Sequence, residues 1–404
     1  MLDVQRIRQE FPALQRTHLG TPIIYLDNAC TTLKPTTVIE AMSRWYTEMA
    51  GCHGRSSHLL GRETTNAFEE GRATVARFIG ARFPDEVVFT KSATESINLV
   101  AHGLPWTKGD QIVVAGAEHN STLVPLLNAA HRHNLELVVL PTQSDLTLHP
   151  DELRKAISPR TKLVALHHVS NLTGARLDVA AFASIAHSAG AMLLVDGAQA
   201  VPHSPVDLQA LDADFYAFSA HKMLGPPGLG VLYAKRQMLK QLQPSLHGGG
   251  AVESATYQHA ASLAPPHSFE AGTQNYPAVS GLVAAISYIQ TLGYQNIATH
   301  IASLNSALQQ ILQQSDRIQI MGPQDPAQRA GICNFHIRGL DSLDMARMLD
   351  SSWNIMLRAG AHCAHSWYSA TDTHASIRAS MYLYNTVEEV EFAGRKLLEI
   401  ARFF

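Results

Sequence analysis

Two short apolar runs end in residues that could act on a small molecule. Leu193-Leu194-Val195-Asp196-Gly197-Ala198-Gln199 delivers a carboxylate, and Phe218-Ser219-Ala220-His221-Lys222 delivers an amine. Each run is continuously apolar and stops abruptly in polar residues, the pattern of a parallel strand buried on both faces. Open α/β sheets place their chemistry just beyond the carboxyl ends of such strands. A lone lysine is ordinarily a solvated surface charge, and Asp196 alone could simply cap a helix starting at Gly197. Brought to one sheet edge, the two suit pyridoxal 5'-phosphate. That cofactor's aldehyde takes a lysine amine, and its pyridine nitrogen takes an anionic partner. Gln199 follows Asp196 at a spacing that reaches the phenolic oxygen of the same ring. The stretch Gly225-Pro226-Pro227-Gly228-Leu229-Gly230 lacks the spacing of a dinucleotide loop, and no helix pattern follows it. Its glycines suit a tight turn that lets backbone pass close to a bulky group.

Three further positions carry chemical potential. His119, in Glu118-His119-Asn120, ends another strand-like run, where an imidazole could stack on a cofactor ring. The chain has 21 histidines, so an idle role is the ordinary reading for most of them. Thr94, in Ser92-Ala93-Thr94-Glu95, stands at a helix start, where backbone N–H groups and a hydroxyl make a phosphate site. The same residues also make an ordinary capping box. Cys363, in Arg358-Ala359-Gly360-Ala361-His362-Cys363, is flanked by His362 and His365 in a segment with little helix or strand pattern. A free cysteine is usually a small buried apolar residue. Here the neighbours point instead to an exposed thiol beside imidazolium charge. His362, Cys363 and His365 are too crowded for the usual zinc spacing, and no C-x-x-C occurs, so no metal is expected.

The elements that must position these residues alternate from about residue 23 to 240. Strand patterns cover Ile23–Asp27, Glu86–Thr90, Gln111–Ala115, Leu135–Leu140, Lys162–Val169 and the runs ending at Asp196 and Phe218, with helical stretches between. The alternation predicts a mostly parallel sheet covered on both faces. Gly248–Thr273 reads as a long functional or interfacial loop. One long helical region, Val279–Gln314, follows. Beyond it come strands near Ile318, at Cys333–Ile337 and at Ile355–Leu357, a helix from Ser342 and a last helix after Asn385, which read as a smaller α+β domain. With 404 residues, 46% hydrophobic and 16% charged, the chain is ordinary globular material long enough for two domains. Its 31 basic and 34 acidic residues form no basic block, so nucleic acid and anionic membranes are not expected partners. No apolar run reaches a membrane span, Met1–Pro12 lacks a signal-like stretch, and four scattered cysteines suit a reducing, cytoplasmic setting.

Taken together, the motifs resemble the class V (fold-type I) aminotransferase superfamily, and within it the SufS-like, group II cysteine desulfurases. The likeness runs nearly end to end. It is carried by Tyr25-Leu26-Asp27-Asn28-Ala29, Thr94-Glu95-Ser96-Ile97-Asn98-Leu99, Glu118-His119, His168-Val169-Ser170-Asn171 and Val195-Asp196-Gly197-Ala198-Gln199. It continues in Phe218-Ser219-Ala220-His221-Lys222, Phe269-Glu270-Ala271-Gly272-Thr273, His362-Cys363-Ala364 and Arg378-Ala379-Ser380. The short path from Cys363 to Arg378 leaves no room for the long cysteine-bearing insertion of group I, IscS-like enzymes.

The resemblance implies an α/β, fold-type I PLP-dependent transferase. Its large domain (21–285) would hold a seven-stranded-type, mostly parallel central sheet. Residues 286–404 would form a smaller α+β domain carrying the cysteine loop, with segment 1–20 packed against it. It implies conversion of L-cysteine to L-alanine, with sulfur left on Cys363 as a persulfide for iron–sulfur cluster or thio-cofactor assembly. A selenocysteine lyase acting on L-selenocysteine, a C–S lyase, or a transaminase or epimerase of the same superfamily is the alternative. Lys222, Cys363 and His119 would be catalytic. Lys222 would bond to the cofactor aldehyde, His119 stack on the ring, Asp196 hold the pyridine nitrogen and Gln199 meet the ring oxygen. Ala93, Thr94, Ser219 and His221 would surround the phosphate, joined by Thr273 from the second subunit of a homodimer. Asn171 and Arg378 would take the substrate carboxylate, which a forked guanidinium suits. A SufE- or SufU-like protein would collect the sulfur. Ala93 stands where a hydroxyl residue is common, Ala361 replaces a frequent His, and His365-Ser366-Trp367 replaces a Met-Pro type sequence.

Overall fold

The computed structural model describes residues 2–18 and 20–403. Its central sheet has seven strands: β1 Val87–Thr90, β2 Gln111–Ala115, β3 Glu136–Leu140, β4 Thr161–His167, β5 Met192–Asp196, β6 Phe215–Ser219 and β7 Gly230–Ala234. They lie in the order β1-β7-β6-β5-β4-β2-β3. β7 runs against both its neighbours, and every other pairing is parallel. Successive side chains of a strand face opposite sides, and here both sides are buried. Val113, Val164, Leu193, Val195, Tyr216, Phe218 and Val231 enter one apolar layer. Ile112, Val114, Leu163, Leu194, Phe215 and Leu232 enter the other. This double burial explains why the strands read as continuous apolar runs.

Helices cover each face. α1 Leu59–Phe78, α4 Val179–Ser188 and α5 Tyr276–Leu292 bury Phe68, Phe182 and Leu282 in the first layer. α2 Ala93–Gly103 and α3 Asn120–His133 bury Ile97, Val100 and Leu126 in the second. α6 Tyr294–Leu312 leads to a second unit with its own core of Leu304, Leu308, Phe335, Leu349, Ile377 and Leu397. There β8 Ile318–Met321, β9 Ile332–Ile337, β10 Arg358–Gly360 and β11 Ser376–Ser380 form an antiparallel sheet in the order β8-β9-β11-β10. α7 Ser342–Trp353 and α8 Val387–Phe403 complete it. The N-terminal segment lies across both units. Phe11 stacks 4.7 Å from Tyr384 and 6.0 Å from Tyr288, and Arg8 pairs with Glu389 at 2.6 Å.

Four sequence expectations change. Ile23–Asp27 is not a strand of the central sheet. Ile24–Tyr25 pairs in parallel with Ile355–Met356 of the C-terminal unit, Asp27 makes a single parallel bridge to Ser380 there, and Leu26 is buried in that unit's core. The helical region Val279–Gln314 is two helices, because Gly293 at φ +79° breaks the run between α5 and α6. The stretch Gly225–Gly230 is not all turn, since Gly230 opens β7. A Cβ on Gly230 would overlap the Ser92 backbone, so this glycine lets β7 pass directly under the start of α2. Gly248–Thr273 is not all loop either, since Val252–Ala255 and Ala260–Ser262 pair as an exposed hairpin.

One buried ion pair fixes the approach to the sheet edge. Arg72 on α1 donates to both carboxylate oxygens of Glu270, at 2.7 and 2.8 Å, and to the Val87 carbonyl at 2.8 Å. Its Nε donates to Glu69 at 2.9 Å. Burial pushes both carboxylates up. The Arg72 guanidinium, with help from histidines, more than reverses this and holds Glu270 below its ordinary value and Glu69 at about 2. Depressed carboxylate pKa values stabilise the fold above the unfolded value near 4.5 and stop doing so as pH falls through the folded ones. Glu270→Gln leaves a buried guanidinium half-paired, so a loss of about 3–5 kcal/mol is expected. Urea unfolding from pH 7 to pH 3 should show that loss at pH 7 and a flatter acid limb in the variant.

Candidate active site

The carboxyl ends of β2, β4, β5 and β6 open onto a cavity of about 200 Å³. Lys222 lies in the single turn Ala220–Lys222 that follows β6, and Asp196 is the last residue of β5. Both line the cavity. Burial lowers the Lys222 pKa, Asp196 opposes the shift and the Arg378 charge adds to it. Burial raises the Asp196 pKa, with Lys222 opposing. The Asp196 carboxylate is fixed by the Ala198 N–H at 2.9 Å and the Thr122 hydroxyl at 3.4 Å. Gly197 follows because the Tyr216 ring occupies the space a Cβ would need.

His119 caps α3, its Nδ1 accepting the Ser121 N–H at 3.0 Å. That bond leaves the ring proton on Nε2. Burial first, and then the Lys222 and arginine charges, push its pKa down to about 3, so the ring is neutral at physiological pH. The preceding residue, Glu118, is tied to β4 by the His167 N–H and Nδ1, both at 2.8 Å. The first turn of α2 forms one wall. There the Ala93 N–H donates to Ser219 Oγ at 2.8 Å, and Thr94 Oγ1 lies 2.8 Å from Ser121 Oγ. His221 lines the same wall. Burial, Lys222 and Lys34 bring its pKa down to about 4. Gln199 donates to the Ala29 carbonyl at 2.8 Å. Thr273 is exposed and lies outside this cavity.

The opposite wall comes from the C-terminal unit. Arg378 on β11 donates to the Asn171 carbonyl at 2.9 Å and approaches Asp27 at 3.4 Å. Its buried Nε has no protein partner. Asn171 donates to the His362 carbonyl at 2.7 Å. His362 and Cys363 both adopt left-handed backbone, φ +47° and +60°, a conformation other residues than glycine hold only under tertiary constraint. The Asn120 N–H supplies part of it, donating to the Cys363 carbonyl at 2.6 Å. The expected imidazolium at His362 is not there. The ring is buried against Ser376, 3.0 Å away, and burial brings its pKa down to about 2. His365 does not lie in structureless chain. It opens a short helix, His365–Ala370, and its Nδ1 meets the Asn120 amide at 2.8 Å.

Arg358 and Cys30 in the cavity, and Asp27 beside it, have no assigned role from the sequence. Asp27 pairs with Arg378. Arg358 and Cys30 line the pocket together, with Arg358 Nη1 3.1 Å from Cys30 Sγ. Arg358 stands in the motif that leads to Cys363, a signal that was visible. Nothing local marks Cys30. A larger groove of about 910 Å³, between the N-terminal helix and α5, contains none of these residues. Among the described residues no cluster of His, Cys, Asp or Glu could hold a metal ion, and no helix is long and apolar enough to cross a membrane.

This architecture is shared. The Aminotransferase class-V family model matches residues 24–392. The chain belongs to the class-V aminotransferase family. Among its relatives, a protein from Cronobacter sakazakii named cysteine desulfurase is 39% identical over 99% of this chain and 98% of its own. A probable cysteine desulfurase from Vibrio cholerae is 38% identical over 97% and 96%. The apo structure of a cysteine desulfurase from Thermococcus onnurineus superposes with a TM-score of 0.94 at 35% identity, covering 100% of this chain and 99% of that one. A cysteine desulfurase from Escherichia coli gives 0.90 at 34% identity, covering 100% and 99%.

The residues present fit the family's cofactor, pyridoxal phosphate. The first turn of α2, with Ser219 and His221, makes an anion cradle. A neutral imidazole, an anchored carboxylate and an amine stand around the remaining space, and Arg378, whose buried Nε has no protein partner, lines it. The holoprotein should be yellow, and borohydride should fix a pyridoxyl group on the Lys222 peptide, read by peptide mass. In Lys222→Ala the reduced group should be found on no peptide.

Proposed function

We propose that this chain is a pyridoxal-phosphate-dependent cysteine desulfurase that converts L-cysteine to L-alanine and holds the sulfur as a persulfide on Cys363. The observation that carries the reading is the position of Cys363. Its loop stands in the same cavity as Lys222 and Asp196, against the Asn171–Arg378 wall. When bound, pyridoxal phosphate supplies an electron sink that acidifies the substrate α-carbon and weakens the bond from its β-carbon to sulfur.

The chain's own residues do the rest. Lys222 would hold the cofactor through its Nζ and, once substrate is bound, be left free beside it. Its Nζ, with a pKa lowered by burial, then takes the α-proton. Asp196 presents a fixed carboxylate that would hold the pyridine nitrogen, and the neutral His119 ring would pack against the cofactor. Arg378 and Asn171 hold the substrate carboxylate, which orients the substrate sulfur toward Cys363. The Cys363 thiolate attacks that sulfur. A sulfur–sulfur bond forms, the carbon–sulfur bond breaks and its electron pair stays with carbon. Protonation of that carbon, and return of the α-proton from the Lys222 ammonium, then give alanine.

The cysteine loop bears on what happens next. It is short, and the Asn120 N–H and the Asn171 side-chain amide clamp it by donating to the Cys363 and His362 carbonyls. A persulfide so held cannot travel, so an acceptor must enter the cavity, and thiol exchange depends on that access. This supports a dedicated SufE- or SufU-like acceptor protein. Thr273 is exposed and does not line the cavity of its own chain, which supports a homodimer whose partner's phosphate site it completes.

Product analysis tests the reading. Wild type given L-cysteine should release alanine and carry one added sulfur on the Cys363 peptide. Cys363→Ala should keep its fold and cofactor and transfer almost no sulfur. Pyruvate and ammonia as products, or a persulfide in Cys363→Ala on Cys30, Cys52 or Cys333, would contradict it.

A further inference from the structure

The cavity holds a second thiol. Cys30 lines it together with Cys363, Lys222, Arg358 and Arg378. Its place is rigid. The Cys30 N–H donates to the Asp27 carbonyl at 3.1 Å, and the neighbouring Ala29 N–H donates to Ser380 Oγ at 2.9 Å. Sγ accepts from Arg358 Nη1 at 3.1 Å. Arg358 belongs to β10, the strand that leads directly into the Cys363 loop. One guanidinium thus ties the first thiol to the base of the loop that carries the second. Both cysteines and the Lys222 amine line the same cavity of about 200 Å³. Arg378, only 3% exposed with an unpartnered Nε, brings a further donor to this space. The other two cysteines lie elsewhere, Cys333 in the core of the C-terminal unit and Cys52 on the surface.

We propose that Cys30 is a second sulfur-carrying site, which takes the outer sulfur from the Cys363 persulfide inside the cavity. This rests on the desulfurase reading above. In the step, Cys30 Sγ attacks the outer sulfur. A sulfur–sulfur bond forms at Cys30, the one at Cys363 breaks, and its electron pair returns to Cys363 Sγ. The proton lost by the Cys30 thiol is taken up by the Cys363 thiolate. One thiol and one persulfide give one thiol and one persulfide, so no oxidant or reductant is consumed. Arg358 holds the attacking sulfur in place and offers a charge-assisted donor to it. The consequence is storage. With its thiol restored, Cys363 can meet a second substrate before any acceptor arrives.

The test uses holoprotein given L-cysteine without acceptor or reductant. Alanine is quantified in the first turnovers, and alkylated peptides are mapped by mass. Wild type should release a second equivalent of alanine per subunit and carry added sulfur on both the Cys30 and Cys363 peptides. Cys30→Ala and Cys30→Ser should stop at the first equivalent, with sulfur on Cys363 alone. In cofactor-free protein, dibromobimane should bridge Cys30 to Cys363 in one cross-linked peptide. A wild type that stops at one equivalent, with sulfur on Cys363 only and no bridged peptide, overturns the proposal and leaves the desulfurase reading standing. Absence of sulfur from both cysteines, with no alanine, overturns the desulfurase reading instead.

Discussion

Everything at this site depends on placing a carboxylate and an amine where water is scarce. Asp196 and Lys222 are delivered by adjacent strands, and burial drives their pKa values in opposite directions. Isolated buried charges are costly, and only fixed partners make them tolerable. The sheet supplies that fixity. Asp196 is in register with His167 on one side and Ala217 on the other, and both apolar layers hold the strands that flank it. A carboxylate this anchored keeps its direction, and burial makes this amine easier to deprotonate than an ordinary lysine.

The second constraint is that one wall of the cavity belongs to another core. The strap from Asp27 to Thr32 joins the two. The Asn28 amide donates to the Ser380 carbonyl at 2.7 Å and to Asn385 at 3.1 Å. Further on, the Thr32 N–H donates to the His221 carbonyl at 3.1 Å, and Thr32 Oγ1 accepts from the Leu224 N–H at 2.9 Å. Gln199 reaches the Ala29 carbonyl between them. One short segment therefore sets the distance between the lysine turn and the wall that carries Arg378 and Cys363. This gives physical sense to a strand pair, Ile24–Tyr25 with Ile355–Met356, that belongs to neither main sheet.

Much of this was legible before the structure. Strands buried on both faces announce themselves as unbroken apolar runs, so β2, β4, β5 and β6 and the residues at their ends could be read directly. What failed was decided by contacts distant in sequence. Gly230 looks like part of a turn because its reason, the Ser92 backbone, lies far away along the chain. Ile23–Asp27 has strand composition, yet its partner is the Ile355 segment. Gly293 breaks a helical pattern that periodicity alone would continue. His362 looks like a source of positive charge beside Cys363, but the fold buries it against Ser376 and keeps it neutral. Arg358 and Cys30 show the same limit within the site, since an ordinary arginine and an ordinary cysteine become a pair only when β10 and the strap are brought together. The roles of Asn171 and Arg378 came from family likeness and not from any local pattern.

The central claim is that Asp196 holds the cofactor's pyridine nitrogen protonated in a cavity poor in water. The nitrogen-15 chemical shift of the ring nitrogen in holoprotein reconstituted with labelled cofactor measures this directly. At neutral pH the account predicts a protonated nitrogen in the wild type and an unprotonated one in Asp196→Asn, with the fold unchanged by circular dichroism. The same shift in both proteins would contradict it.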